Sequence, residues 1–127
     1  MDREPHDRLL KIINILEENA LNIRTLEAEA REALYIHDDT DTYRTKLEQK
    51  AVLILELADE MDGWLDGLDA DLKRKIQSQF AYFAHEAGQA LDFSSPFYMS
   101  TLLHVMDTKA DDTNDLEKFI KELKQSC

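Results

Sequence analysis

Two pairs of carboxylates have a spacing that suits metal-dependent chemistry. Glu29 and Glu32 are three residues apart, as are Glu56 and Asp59, so each pair would share one side of a helix. Mg²⁺ prefers such oxygen ligands, but a metal cluster in a helical bundle should point toward the core. Glu56 lies opposite the predicted apolar stripe of its helix, and Glu32 lies away from the stripe of the first helix. We therefore predict no metal site and no catalytic residue.

The spacing of these two carboxylate pairs is also the basis of an alternative function. It resembles the carboxylate pattern with which all-α nucleotide pyrophosphatases hold Mg²⁺ on adjacent helices. That resemblance implies a Mg²⁺-dependent enzyme in which Glu29, Glu32, Glu56 and Asp59 would bind the metal.

The acidic run at residues 38–41 is a second candidate cation site. A helix–loop–helix calcium loop needs Gly at its sixth position and Glu at its twelfth. In a loop starting at Asp39, these positions hold Arg44 and Lys50. Short polar side chains favour helix caps, so we expect Asp39, Thr40 or Asp41 to cap the next helix.

The histidines and the single cysteine give no further site. No two of the four histidines are three or four residues apart, as one face of a helix would require. Cys127 is the only cysteine, so one chain can form neither an internal disulfide nor a zinc site of several thiolates. We predict no cofactor.

Overall charge limits the class of partner. The 127 residues include 15 Lys and Arg and 27 Asp and Glu, giving a net charge of −12. Duplex nucleic acid and anionic membranes attract basic surfaces, so we expect neither as a partner. The sequence has no apolar run of about 20 residues and no recognisable signal peptide. We predict a cytoplasmic protein.

Apolar residues at helical spacing predict the architecture. We expect three long helices at about residues 7–36, 41–65 and 70–91, and two short C-terminal helices at about 96–106 and 113–124. Opposite charges four residues apart predict ion pairs within helices, among them Glu27 with Arg31 and Glu117 with Lys121. Short connections make consecutive helices antiparallel. The prediction is one all-α domain over residues 1–127, an antiparallel up-down helical bundle.

The fourth predicted helix lies in a segment without charge. No Asp, Glu, Lys or Arg occurs between Asp92 and Asp107, although 33% of the chain is charged. One face of this helix would pack in the core. Its opposite face would either be covered within the bundle or form a contact surface for a partner protein or a second copy of the chain. Charge depletion with aromatic enrichment is typical of interface cores. The core face holds Met99, Leu102, Leu103 and Met106, and the predicted interaction surface holds Phe97, Tyr98, Thr101 and His104.

These features favour a protein-interaction module of adaptor or chaperone-like kind that binds a partner protein or a second copy as a homodimer, and that is not an enzyme. The stretch 27–57 combines Glu-Ala-Leu at 32–34, an Asp-rich turn and Leu-Ile-Leu-Glu-Leu at 53–57. This stretch, about a quarter of the chain, resembles the hairpin of flagellar export chaperones, which are small acidic helical proteins that hold export substrates. The resemblance implies a protein partner.

Overall fold

The computed structural model describes residues 3–104 and 113–125 as five helices without a strand, and 83% of these residues are helical. This confirms the predicted all-α bundle of three long and two short helices. The helices are α1 (Arg3–Tyr35), α2 (Thr40–Asp62), α3 (Ala70–Asp92), α4 (Pro96–Thr101) and α5 (Asp115–Gln125).

The core is a four-helix arrangement in which α5 is the short fourth member. α2 packs between α1 and α3, and α5 packs along α1 with its Phe119 ring 5.9 Å from that of Phe80 in α3. Ion pairs from Arg24 to Glu117 and from Glu17 to Lys124 show that α5 runs antiparallel to α1. α4 packs on α2 and α3. The two short helices therefore occupy different places along the bundle.

The turn between α1 and α2 is built from aspartates and contains no glycine. Asp38 adopts the left-handed conformation with φ 52°, which Asp tolerates better than most residues. The Asp39 carboxylate caps α2 by accepting the Thr42 backbone N–H at 3.0 Å. The expected cap is thus confirmed and assigned to Asp39.

The structure corrects the extent of two helices. The fourth ends at Thr101 and not at residue 106, because Leu102 and Leu103 turn into the core, with Leu103 left-handed at φ 70°. Met106 lies outside the described residues. α2 ends at Asp62, short of the predicted residue 65, where Gly63 takes the C-cap position and donates its N–H to the last carbonyls.

Candidate functional site

The exposed side of α4 carries a connected group of aromatic rings. Phe93, Phe97 and Tyr98 are 67%, 69% and 53% exposed. The Tyr98 ring lies 6.0 Å from Phe93 and 5.7 Å from Phe97, measured between ring centres. Thr101 is exposed one turn further along. We call Phe93, Phe97, Tyr98 and Thr101 the aromatic surface; it is a continuous apolar patch of the kind that marks contact sites.

A groove with acidic side chains adjoins the aromatic surface. It encloses about 170 Å³ between α3, α4 and the start of α5, and Tyr98 and Thr101 form one of its walls. Tyr82 lies on the other side, where partial burial and the charges of Glu86 and Asp115 raise the pKa of its hydroxyl. The groove therefore combines apolar rings with a negative potential.

His104 belongs to a different part of the molecule. Its ring Nε2 lies 2.9 Å from Oε2 of Glu27 in α1, and its side chain is 30% exposed. The structure thus brings together Phe97, Tyr98 and Thr101 of the predicted interaction surface, whereas His104 faces α1. The reason is the end of α4 at Thr101, since a helix continuing to residue 106 would have kept His104 on the face of Phe97.

Beneath α4 lies a group of buried charges. Lys50 of α2 is completely buried, and its Nζ lies 2.8 Å from Oε2 of Glu27. The same ammonium donates to the carbonyl oxygen of Ser100 in α4 at 3.4 Å. We call Glu27, Lys50 and His104 the buried charge cluster. It links α1 and α2 to α4 and to the residues that follow α4, so it fixes where the aromatic surface sits.

The charged state of the cluster follows from its hydrogen bonds. Burial by itself raises the Glu27 pKa, but the hydrogen bond from His104 and the charge and hydrogen bond of Lys50 outweigh it and lower the pKa to about 2. Burial lowers the Lys50 pKa, and the Glu27 carboxylate offsets this only in part. The two pKa values respond differently because both Lys50 and His104 stabilise the Glu27 carboxylate, whereas among the described residues Glu27 alone raises the Lys50 pKa, and the charges of Arg24 and Arg31 lower it.

A second ion pair holds α5 in place. Arg24 donates to both carboxylate oxygens of Glu117, at 2.7 Å and 3.2 Å. Glu117 also accepts the Asn114 backbone N–H at 2.9 Å, while the Asn114 side chain accepts the Glu117 N–H at 2.8 Å, a reciprocal capping box. Burial raises the Glu117 pKa, but the Arg24 and Asn114 hydrogen bonds outweigh it and lower the pKa.

Sequence analysis missed the buried charge cluster and assigned its carboxylate wrongly. Glu27 pairs with Lys50 and not with Arg31, and Glu117 pairs with Arg24 and not with Lys121. A signal was present, because Glu27 lies four residues after Ile23 on an apolar seam of α1. Lys50 lies three residues after Leu47 on the apolar side of α2 that faces α1. Glu27 and Lys50 are about equally far along the chain from the turn between the two helices, so they come opposite each other. An anion and a cation opposite each other on two apolar helix faces indicate a buried ion pair.

The carboxylates of the alternative function all lie on exposed surfaces. Glu29 pairs with Lys46 at 3.2 Å, and Glu32 lies 3.6 Å from the exposed His37. Glu56 and Asp59 are exposed on α2. Within residues 3–104 and 113–125, no group of three or more His, Cys, Asp or Glu is placed to hold a metal ion.

The long helices are amphipathic, and the comparisons with known proteins give no match. Each of the three long helices has a buried apolar side and an exposed polar side. In the part of the chain that the structure describes, no helix is both long and apolar enough to cross a membrane. No protein-family model, curated protein or solved structure matches this chain.

Proposed function

We propose that this chain is a protein-interaction module, adaptor or chaperone-like and without catalytic activity, that binds its partner through the aromatic surface. The observation that carries the proposal is the contact of three exposed rings, Phe93, Phe97 and Tyr98, on and beside one short helix. Aromatic side chains are enriched in interface cores because they bury much area at a low cost in entropy. The buried charge cluster supports binding by holding α4 in a fixed place.

The charges around the aromatic surface define the chemistry of the partner. Glu86 lines the groove and Asp92 is exposed at the end of α3, while the α4 helix carries no charge. The whole chain has a net charge of −12, so a second copy would bring equal negative charge to the interface. The favoured partner is a protein segment with apolar anchor residues flanked by Lys or Arg. A cytoplasmic location stays a prediction.

Removing a ring from the aromatic surface should weaken partner binding. We expect Phe97→Ser and Tyr98→Ser each to weaken binding by about tenfold or more, because truncating a central interface aromatic costs about 2 kcal/mol or more. The measurement is quantitative affinity capture from cells that contain the protein, comparing each variant with the wild type. Leu21→Ser is the matched control, since Leu21 is 67% exposed on α1 and lies outside this surface. Equal recovery of every partner by wild type and both variants would contradict the proposal.

Self-association needs its own measurement. Light scattering of the purified chain gives its oligomeric state, and Thr101→Arg places a charge in the aromatic surface. A dimer that Thr101→Arg separates would identify a second copy as the occupant of this surface. A dimer that persists with equal affinity would place its interface elsewhere, for example along α1 and α2.

A further inference from the structure

A cavity distinct from the aromatic surface opens where α1 and α2 meet the chain that follows α4. It encloses about 240 Å³. The end of α1 and the start of α2 form two walls, and Ser100 and His104 form the third. Its lining residues are Glu27, Ala30, Arg31, Tyr35, Tyr43, Leu47, Ser100 and His104.

The lining of this cavity carries hydrogen-bond donors without acceptors. Within the described residues, the Arg31 guanidinium forms neither an ion pair nor a hydrogen bond, and the hydroxyls of Tyr35 and Tyr43 form no hydrogen bond. His104 uses Nε2 for Glu27, which leaves its other ring nitrogen available. A guanidinium and two phenols around one opening are suited to a ligand that brings oxygen acceptors.

Charge favours the same class of ligand. Among the described residues that line the cavity, Glu27 is the only acidic one, and its Oε2 already accepts from Lys50 and His104. Arg31 in the wall and Lys50 behind it outnumber this carboxylate, so the described residues give the cavity a positive charge although the chain as a whole carries −12. A cationic ligand would be repelled by Arg31 and Lys50, whereas an anion would be attracted.

We infer that this cavity binds a small oxyanion, the carboxylate or phosphate group of a small molecule. Arg31 would pair with the anion through two parallel N–H groups, which is the strongest geometry for such a pair. The hydroxyls of Tyr35 and Tyr43 would donate to its remaining oxygens. Leu47 and the two phenol rings supply an apolar wall for the carbon part of the ligand.

Amide NMR titration with inorganic phosphate and, separately, with acetate tests this inference. Each anion replaces chloride at constant ionic strength. We expect saturating shifts at the amides of Tyr35, Tyr43 and His104 with at least one of the two anions, and that anion identifies the preferred group. Arg31→Gln should raise the Kd about tenfold, since it removes the charge-assisted hydrogen bonds to the anion. Tyr43→Phe should raise the Kd by a smaller factor.

Arg44→Gln is the matched control, because Arg44 is exposed on α2, lies outside the cavity lining and carries the same charge. It should leave the Kd unchanged. Arg31 is itself exposed, so Arg31→Gln is expected to fold, and thermal unfolding in chloride checks this. The inference is overturned if neither anion produces saturating shifts at these amides, or if Arg31→Gln and Arg44→Gln bind the anion with the wild-type Kd.

Discussion

Replacing Lys50 with alanine is expected to lower the free energy of unfolding by about 3–5 kcal/mol, because the change leaves Glu27 as a buried charge without its main partner. Lys50 is completely buried, and its Nζ lies 2.8 Å from the Glu27 carboxylate. The loss would be a large fraction of the about 5–15 kcal/mol that separates a typical folded domain from its unfolded state. Urea denaturation followed by circular dichroism at neutral pH measures it.

Lys46→Ala is the matched control for this prediction. Lys46 pairs with Glu29 at 3.2 Å one helical turn nearer the start of α2, but that pair is partly exposed to solvent. Its removal should cost less than about 1 kcal/mol. Equal losses for Lys46→Ala and Lys50→Ala would contradict the assignment of a buried ion pair.

A double variant separates the net contribution of the pair from the cost of breaking it. Glu27→Leu combined with Lys50→Met replaces both charges by apolar groups of similar length. Such replacements are often neutral or stabilising, because desolvation of two charges cancels much of their attraction. We therefore expect the double variant to recover most of the stability that Lys50→Ala loses. A double variant as unstable as Lys50→Ala would indicate that the position of α4 depends on the hydrogen bond from Lys50 to Ser100.

Local sequence signals were sufficient for the three long helices and the first turn. Leu9, Leu16 and Ile23 recur every seven residues in α1, and all three are buried in the structure. Asp39 caps α2 through a contact with a residue only three positions away. Periodicity and capping both depend on neighbours within one or two turns, and for this reason a single sequence predicts them.

The end of α4 depends on contacts between segments that are separated in the sequence but adjacent in the fold, and the sequence pattern did not predict it. Helical spacing continues past Thr101, but Leu103 turns inward and its carbonyl accepts the N–H of Asp115, the first residue of α5. This contact ends the helix and directs His104 toward Glu27. The predicted interaction surface included His104 because it assumed an uninterrupted helix.

The buried charge cluster was missed for a related reason. Arg31 is the nearest cation to Glu27 along its own helix, and a pair four residues apart is the simplest assignment. In the folded chain Glu27 is buried, where a low dielectric strengthens each contact, and it takes the nearest cation in space, Lys50. Arg31 is left exposed beside the cavity, so the same packing creates both the buried pair and the surplus positive charge.

The second large effect is a loss of folding stability in acid, which we expect because the buried Glu27 carboxylate becomes protonated. Its pKa is about 2 in the folded protein against an ordinary value of 4.5, so the ionised carboxylate stabilises the fold. This contribution is complete above pH 4.5 and is lost as the pH falls from 4.5 toward 2. One pH unit corresponds to about 1.4 kcal/mol, so Glu27 contributes about 3 kcal/mol in total, of which about 2 kcal/mol is lost between pH 7 and pH 3.

A second effect of acid makes a variant necessary. The other carboxylates of the chain also titrate between pH 7 and pH 3, so the net charge changes from −12 to a positive value carried by the 15 Lys and Arg and the 4 His, and this changes the overall repulsion independently of Glu27. Glu27→Gln keeps the shape of the side chain but does not titrate, so the difference in unfolding free energy between wild type and this variant isolates Glu27. That difference should shrink by about 2 kcal/mol from pH 7 to pH 3. Glu29→Gln, on the exposed side of the same helix, should follow the wild type across this range. A wild type and a Glu27→Gln variant whose stabilities change in parallel with pH would show that Glu27 is not held as a buried carboxylate by Lys50 and His104.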